Sequence, residues 1–116
     1  MITIYHNPRC TKSREGLCEI EKLNKPFIIR KYLDEPFTKE ELKKVIKNLA
    51  INPLELVRTK ETIWIENYKG KQLTDEEIID ALLSHPKLIE RPIVVIDNKA
   101  IIARQKEKIN ELLQHI

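Results

Sequence analysis

The sequence is poor in cysteine, glycine and aromatic residues, and it contains no long apolar run. Two cysteines in 116 residues are too few for the disulfide framework of a small secreted domain. No stretch approaches the roughly 18 consecutive apolar residues of a membrane-spanning helix. The chain starts Met-Ile-Thr-Ile, without a basic leader followed by an apolar segment, so no signal peptide is predicted. We expect a cytoplasmic protein with no membrane partner, folded as one domain over residues 1–116.

An excess of one charge is also lacking. Lysine and arginine total 21 against 18 acidic residues, a net charge of +3. They alternate with glutamate in segments such as 39–44, which is typical of a solvated helix face. Nucleic acid is therefore not an expected partner. The three histidines are scattered, and neither Cys-x-x-Cys nor His-x-x-x-His occurs, so we expect no metal site and no tightly bound cofactor.

The first third of the chain has the pattern of a βαβ unit. Residues 2–5 alternate as in a strand, and Asn7-Pro8 interrupts the alternation. A helix can then run from about Cys10 to Leu23, and residues 27–32 form the next apolar strand. Two strands joined by such a helix are expected to be parallel, with a right-handed crossover.

The middle of the chain is predicted to be helical. Two capping boxes, each a threonine followed three residues later by glutamate, mark helix starts; they are Thr38 with Glu41 and Thr74 with Glu77. Asn52-Pro53 is typical of the start of a shorter helix that would end near Val57. Residues 59–72 are interpreted as a loop or a partly ordered segment.

The end of the chain returns to strand-like patterns. Residues 93–96 are a continuous apolar run, Asp97-Asn98 is a turn signal, and residues 100–103 are apolar again, which predicts an antiparallel hairpin. Residues 109–116 carry the apolar stripe of a last helix. The order is β-α-β, a helical insert at about 34–90, and β-β-α. This is the α/β order of a thioredoxin-like fold with a mixed central sheet.

Cys10 is the candidate nucleophile because it lies where the first strand ends and the first helix begins. Unpaired backbone N–H groups and the helix dipole favour a thiolate there. Lowering a thiol pKa by two units takes about 2.7 kcal/mol, whereas a helix end supplies about 0.3–1 kcal/mol. Further positive charge is needed, and His6, Arg9, Lys12 and Arg14 lie within four residues.

The spacing around Cys10 argues against two other thiol chemistries. A low-molecular-weight phosphatase loop has arginine six positions after the cysteine, where this chain has Gly16. A thioredoxin or glutaredoxin has a second cysteine three positions on, where this chain has Ser13. Cys18 would lie about 12 Å along the helix, beyond the roughly 7 Å that a disulfide allows, and we expect it in the core. An external thiol must therefore complete each cycle.

The segment His6-Asn7-Pro8-x-Cys10-x-x-Ser13-Arg14, directly after the first strand, resembles the glutaredoxin-coupled arsenate reductases of the ArsC type. The resemblance covers essentially the whole chain, and further matching segments are Tyr32-Leu33, Arg58, His85-Pro86, residues 90–95 and Arg104. The version of the loop in residues 9–15 is most similar to an uncharacterised-reductase branch of that family.

The resemblance implies a substrate, a reductant and roles for individual residues. The cysteine matching Cys10 attacks arsenate or a similar oxyanion and forms a thiol-arsenate adduct. Glutathione is then the co-substrate, and glutaredoxin regenerates the enzyme. The oxyanion ligands that the family implies are Arg58, Arg91 and Arg104, with Ser13 and Arg14 as loop candidates. The family also implies that His6 helps to hold the thiolate.

Two further features bear on the site, one at Pro92 and one in the loop around Cys10. Pro92 begins a buried strand where thioredoxin-like folds carry a cis-proline beside the active cysteine, which would put Arg91 next to Cys10. Arg9 and Lys12 replace small residues of the arsenate-resistance enzymes, so the pocket is expected either to be more cationic or to select a different substrate. The alternative function is that of the Spx-type regulators, which share the fold and bind RNA polymerase without catalysis.

Overall fold

The computed structural model describes residues 2–103 and residue 111. Contacts divide the chain into two compact units, Met1–Glu35 with Arg91–Ile116, and Pro36–Glu90. The described part of the first unit contains a sheet and one helix, and the second unit is helical. The single-domain organisation and the insert at about 34–90 stay predictions.

The first unit is built on a four-stranded mixed sheet in the order β2-β1-β3-β4. The strands are β1 (Ile2–Tyr5), β2 (Phe27–Arg30), β3 (Ile93–Ile96) and β4 (Lys99–Ile102). β1 pairs parallel with β2 and antiparallel with β3, and β3 pairs antiparallel with β4. The parallel pair and the hairpin predicted from the apolar patterns are thus confirmed.

The core of this unit lies where the central strands meet α1 (Thr11–Glu21). Its buried members are the apolar side chains Ile2, Ile4, Ile20, Val94, Ile96 and Ala103. Burial of each large aliphatic side chain is worth about 1.5–3 kcal/mol. The core therefore anchors α1 across the sheet, and with it the loop that precedes the helix.

Gly16 allows α1 to approach the start of β3 closely. A Cβ atom at this position would lie 2.7 Å from Cγ of Pro92 and 3.4 Å from the carbonyl oxygen of Ala103. The first distance is well inside van der Waals contact, and the pyrrolidine ring cannot swing aside as a flexible side chain would. Glycine in mid-helix costs about 1 kcal/mol relative to alanine, so its presence here reflects this contact.

We expect Gly16→Ala to destabilise the protein although alanine is the better helix former. Overpacking a rigid contact costs about 1–3 kcal/mol, which exceeds the gain in helix propensity. Urea denaturation should show the loss as a lower midpoint with an unchanged slope. Cys18→Ala, an exposed position on the same helix, is the matched control and should not lower the midpoint. A Gly16→Ala midpoint at or above the wild-type value would contradict the proposed contact.

The second unit contains three α-helices, α2 (Lys39–Leu49), α3 (Thr62–Asn67) and α4 (Asp75–Ser84), and two short 3₁₀ helices, Pro53–Leu56 and Pro86–Leu88. Both predicted capping boxes are formed: each threonine side chain accepts the glutamate N–H, and each glutamate side chain accepts the threonine N–H. α2 and α4 are also linked by exposed ion pairs, which join Lys39 and Lys43 to Glu76. The predicted helix at Asn52-Pro53 is confirmed in a shorter, 3₁₀ form.

Of the two interpretations of residues 59–72, a continuous loop is wrong, because α3 lies inside this segment. The helix has only six residues and its N-cap, Glu61, makes no side-chain capping bond. Its stability comes from burial of Trp64, which stacks on Tyr68 with ring centroids 5.2 Å apart. Tyr68 in turn meets the ring of His85 edge-on. This helix thus depends on tertiary packing, which the local sequence does not reveal.

The expected burial of Cys18 is also wrong, since its side chain is exposed. Gly16 and Ile20, one turn apart, mark the buried face of α1. Cys18 is two residues from each, about 200° around the helix, and so points to solvent. Both cysteines are free thiols.

Two predictions fall on the last part of the chain. The helix expected over residues 109–116 and Arg104 lie outside the described residues, apart from Glu111, which is helical. Within the residues that the structure describes, no helix combines the length and apolarity needed to cross a membrane.

Candidate active site around Cys10

Cys10 is the N-cap residue of α1, with an extended backbone at φ −98° and ψ 124°. Its carbonyl oxygen accepts the Arg14 N–H at 3.0 Å, which is the first helical bond. Its own N–H donates to the carbonyl oxygen of Asn7, also at 3.0 Å. The backbone is therefore held on both sides of the cysteine, and the thiol is placed at the helix terminus.

Asn7 organises this loop, a role that the sequence reasoning missed. Besides accepting from Cys10, it donates its backbone N–H to Oγ of Ser13 at 2.9 Å. Its side-chain Oδ1 accepts the backbone N–H of Arg9 at 3.0 Å. The signal was present, since asparagine before proline often forms such a local turn.

Ser13 is fully buried and ties the loop to His6. Its Oγ lies 2.7 Å from Nδ1 of His6 and accepts from the Asn7 N–H. The hydroxyl hydrogen is then available for donation to Nδ1, which requires that nitrogen to be unprotonated. Ser13 thus occupies the place of a resolving cysteine with a hydroxyl that is engaged inside the protein.

His6 is buried, and its pKa lies below the ordinary value for histidine. Burial is the main cause, and the charges of Lys31 and Arg14 act in the same direction, whereas a backbone hydrogen bond with Ser13, distinct from the contact with its hydroxyl, opposes them. The imidazole is therefore neutral at pH 7, in agreement with a hydrogen bond donated by Ser13. The contact shown for the His6 ring is with Ser13, so a direct contact of the ring with the thiolate stays a prediction.

The pKa of the Cys10 thiol is lowered, although partial burial alone would raise it. The Ser13 N–H, the Arg91 guanidinium through both a hydrogen bond and its charge, and the Lys12 N–H outweigh that burial. No side-chain capping bond of ordinary geometry closes at Cys10. The two amides therefore act mainly as oriented dipoles at the helix N-terminus, and Arg91 adds the full charge.

Arg91 lowers the pKa of the Cys10 thiol through a hydrogen bond and its charge, and it precedes Pro92 through a cis peptide bond. Pro92 is buried against Gly16 of α1. The start of β3 and the N-terminus of α1 are thus packed together within the first unit. The Arg91 guanidinium acts on the Cys10 thiol, and a planar guanidinium suits a tetrahedral oxyanion. Oxyanion binding by Arg91 stays a prediction.

Arg14 is exposed and braces the loop. Its Nη1 donates to the Pro8 carbonyl oxygen at 3.1 Å, and its Nη2 donates to Oγ1 of Thr11 at 3.2 Å. These bonds join the turn before Cys10 to the first turn of α1. The predicted binding of substrate by Ser13 and Arg14 remains a prediction.

Arg58 belongs to the second unit, where it follows the 3₁₀ helix Pro53–Leu56. Its guanidinium pairs with the carboxylate of Glu61, and its backbone N–H donates to the Leu88 carbonyl oxygen at 2.7 Å. Arg104 lies outside the described residues. The predicted roles of Arg58 and Arg104 in oxyanion binding therefore stay predictions. Among the residues described, no three or more metal-ligating side chains cluster.

Comparison with known proteins gives consistent matches over nearly the full length. The sequence model of the ArsC family matches residues 5–112. Uncharacterized protein YfgD of Escherichia coli (strain K12) is 40% identical, with 97% of this chain and 96% of that protein covered. An arsenate reductase of Haemophilus influenzae is 38% identical, with 97% and 98% covered.

The solved structures extend this likeness to three dimensions. An arsenate reductase structure from Vibrio cholerae superposes with a TM-score of 0.89 at 40% identity and covers 95% of each chain. The predicted α/β, thioredoxin-like fold is thereby confirmed.

Proposed function

The chain belongs to the ArsC family, and from this premise we propose that it is an oxidoreductase that reduces arsenate with Cys10 as the nucleophile. The observation that carries the proposal is the place of Cys10 at the N-terminus of α1, where the Ser13 and Lys12 amides and the Arg91 guanidinium lower the pKa of its thiol. A thiolate is the reactive form of cysteine. Two of the relatives are named arsenate reductases, which indicates arsenate as the substrate.

In the first step the Cys10 thiolate attacks arsenic. A sulfur–arsenic bond forms, one arsenic–oxygen bond breaks, and the departing oxygen leaves as water after taking up protons. Arsenic is still pentavalent in this adduct. Arg91, already beside the sulfur, offers a planar pair of N–H donors to the oxyanion, and by resemblance Arg58 and Arg104 are its further ligands.

Reduction then requires a second sulfur. When two thiols end as one disulfide, they release the two electrons that convert arsenic(V) to arsenic(III). Ser13 stands where a resolving cysteine would lie, and its hydroxyl is bound to His6 and Asn7. We therefore propose glutathione as the source of the second sulfur and glutaredoxin as the protein that reduces the resulting mixed disulfide.

Neutral His6 has a positioning role in this scheme. It holds the Ser13 hydroxyl, and the Ser13 N–H is one of the groups that favours the thiolate. The histidine thereby stabilises the loop conformation that activates Cys10. Arg14 does the same from the outer side through Pro8 and Thr11.

The test is arsenite production by the purified protein from arsenate with three reductants: glutathione alone, glutathione with glutaredoxin, and thioredoxin. We expect turnover with glutathione and glutaredoxin together and little with thioredoxin. No arsenite with any reductant would overturn the arsenate assignment, and turnover with thioredoxin alone would overturn only the glutaredoxin coupling. Recovery of RNA polymerase from lysate by an inactive protein would instead support the regulatory alternative.

A further inference from the structure

The neighbourhood of Cys10 carries more positive charge than the oxyanion chemistry already described requires. Besides Arg91, the cations in or near the loop are Arg9, Lys12, Arg14 and Lys31, the last close enough to His6 to influence its pKa. Among the loop and first-turn residues 6–15, Glu15 is the only acidic one. An excess of cations around a nucleophile attracts anionic reactants.

Two of these cations already have partners in the loop or at the thiol. Arg14 is bonded to Pro8 and Thr11, and Arg91 lies close enough to Cys10 to lower the pKa of its thiol. Arg14 therefore stabilises the loop, and Arg91 is placed to bind the oxyanion.

Arg9 and Lys12 have no comparable partners among the described residues. Arg9 is exposed, and within the described part of the chain its guanidinium has no ion pair or hydrogen bond. Lys12 meets Glu15 at 3.7 Å, with both side chains more than 60% exposed. Such a pair is worth about 0–1 kcal/mol, so Lys12 can exchange this partner for a ligand at little cost.

We propose that Arg9 and Lys12 bind the carboxylates of the small anionic thiol that completes the catalytic cycle, a peptide thiol of the glutathione class. This inference rests on the proposed function, since it assigns the site of its co-substrate. Glutathione carries two carboxylates, each several bonds away from its sulfur. Cations set back from Cys10 therefore suit it better than cations at the reacting atom.

The chain geometry fits this arrangement. Arg9 is adjacent to Cys10, with Cα atoms about 3.8 Å apart, and Lys12 is half a turn into α1 on the other side. Both side chains are long and exposed, and each belongs to a residue within two positions of Cys10, so both can reach the carboxylates of a thiol that approaches the Cys10 sulfur. Arg91 remains free to hold the oxyanion at the sulfur.

The test separates thiol docking from arsenate chemistry by using thiol–disulfide exchange alone. In a Cys18→Ser background, Cys10 is first converted to its mixed disulfide with 4-thiopyridine. A glutathione thiolate then attacks the Cys10 sulfur, a new sulfur–sulfur bond forms, the old one breaks, and thiopyridone leaves with the electron pair and takes up a proton. Its absorbance gives the rate constant. Glutathione is compared with its diethyl ester, which has the same sulfur and no free carboxylate.

At low salt we expect glutathione to react about three- to tenfold faster than the ester, as two exposed ion pairs allow, after correction for thiolate concentration. In the double variant Arg9→Gln, Lys12→Gln, this ratio should fall close to one. Added salt should reduce the wild-type ratio as well.

Lys99→Gln is the matched control, because it removes one exposed charge at the opposite end of the sheet. Lys99 pairs with Ile96, which in turn pairs with Ile2 at the start of β1. The ratio should be unchanged in this variant. A wild-type ratio near one, or the same ratio in wild type and the double variant, would overturn the docking site. Neither result would alter the arsenite assay, so the two proposals fail separately.

Discussion

Replacing Cys10 by serine is expected to reduce arsenate turnover by roughly three orders of magnitude or more, as loss of a catalytic nucleophile does. A serine hydroxyl is not ionised at neutral pH in a site whose activation amounts to two amides and one guanidinium. It also cannot form the disulfide through which two thiols release their electrons. The measurement is the initial rate of arsenite formation with glutathione and glutaredoxin.

Cys18→Ser supplies the matched control for this variant. Cys18 is exposed and lies two turns along α1, on the side opposite Gly16 and Ile20. The same sulfur-to-oxygen change there should leave turnover within about twofold of wild type. If the Cys18 variant lost activity as strongly as the Cys10 variant, the second sulfur would come from this protein and an external thiol would not be needed for that step. Unfolding curves of both variants should match the wild type.

Local sequence patterns predicted most of the elements that form this fold. The capping boxes at Thr38 and Thr74 are formed as expected, because their hydrogen bonds involve residues only three positions apart. β1 and β3 were visible as apolar segments, and most of their side chains are buried. β2 was visible as an apolar run as well, although none of its side chains is buried. The mixed sheet followed from connection lengths, since a helical crossover implies parallel strands and a short turn implies antiparallel ones.

The failures concern features that depend on contacts between distant residues. α3 is stabilised by packing of Trp64 and Tyr68, which a six-residue pattern cannot reveal. Cys18 was misplaced because its apolar neighbours suggested burial, whereas Gly16 determines which face of α1 meets the sheet. Glycine in mid-helix was the clue, and it becomes interpretable only when Pro92 is known to lie opposite.

In the candidate site, too, local features were predictable and contacts between distant residues were not. Cys10 could be identified from its place at a strand–helix junction and from nearby cations, both local properties. Its pairing with Arg91 spans 81 positions, so no local pattern predicted it; the resemblance to a family and the place of Pro92 in a thioredoxin-like fold did. The Asn7-Pro8 pair signals the local turn, but the bonds of Asn7 and His6 to the buried Ser13 hydroxyl could not be predicted, because such bonds leave no periodic pattern in a sequence.

Arg91→Gln is expected to reduce kcat/KM for arsenate at pH 7 by about a hundredfold, the usual cost of losing one preorganised donor at a developing charge. Glutamine retains an N–H donor but removes the charge, so the pKa of Cys10 should rise. Alkylation by iodoacetamide across pH, in a Cys18→Ser background, measures that pKa directly. Arg91→Lys should leave the pKa nearer the wild-type value while still impairing arsenate turnover, because lysine keeps the charge and loses the planar pair of donors.

The pH dependence separates the two contributions of Arg91. A thiol reacts only after deprotonation, so a raised pKa costs most at acidic pH and nothing once both proteins are fully ionised. The ratio of wild-type to Arg91→Gln activity should therefore be largest at low pH and should decrease as pH rises through the pKa of the variant. The ratio that persists above that pH measures oxyanion binding alone. A ratio independent of pH would show that Arg91 does not lower the thiol pKa, and a ratio that fell to one would show that it binds no oxyanion.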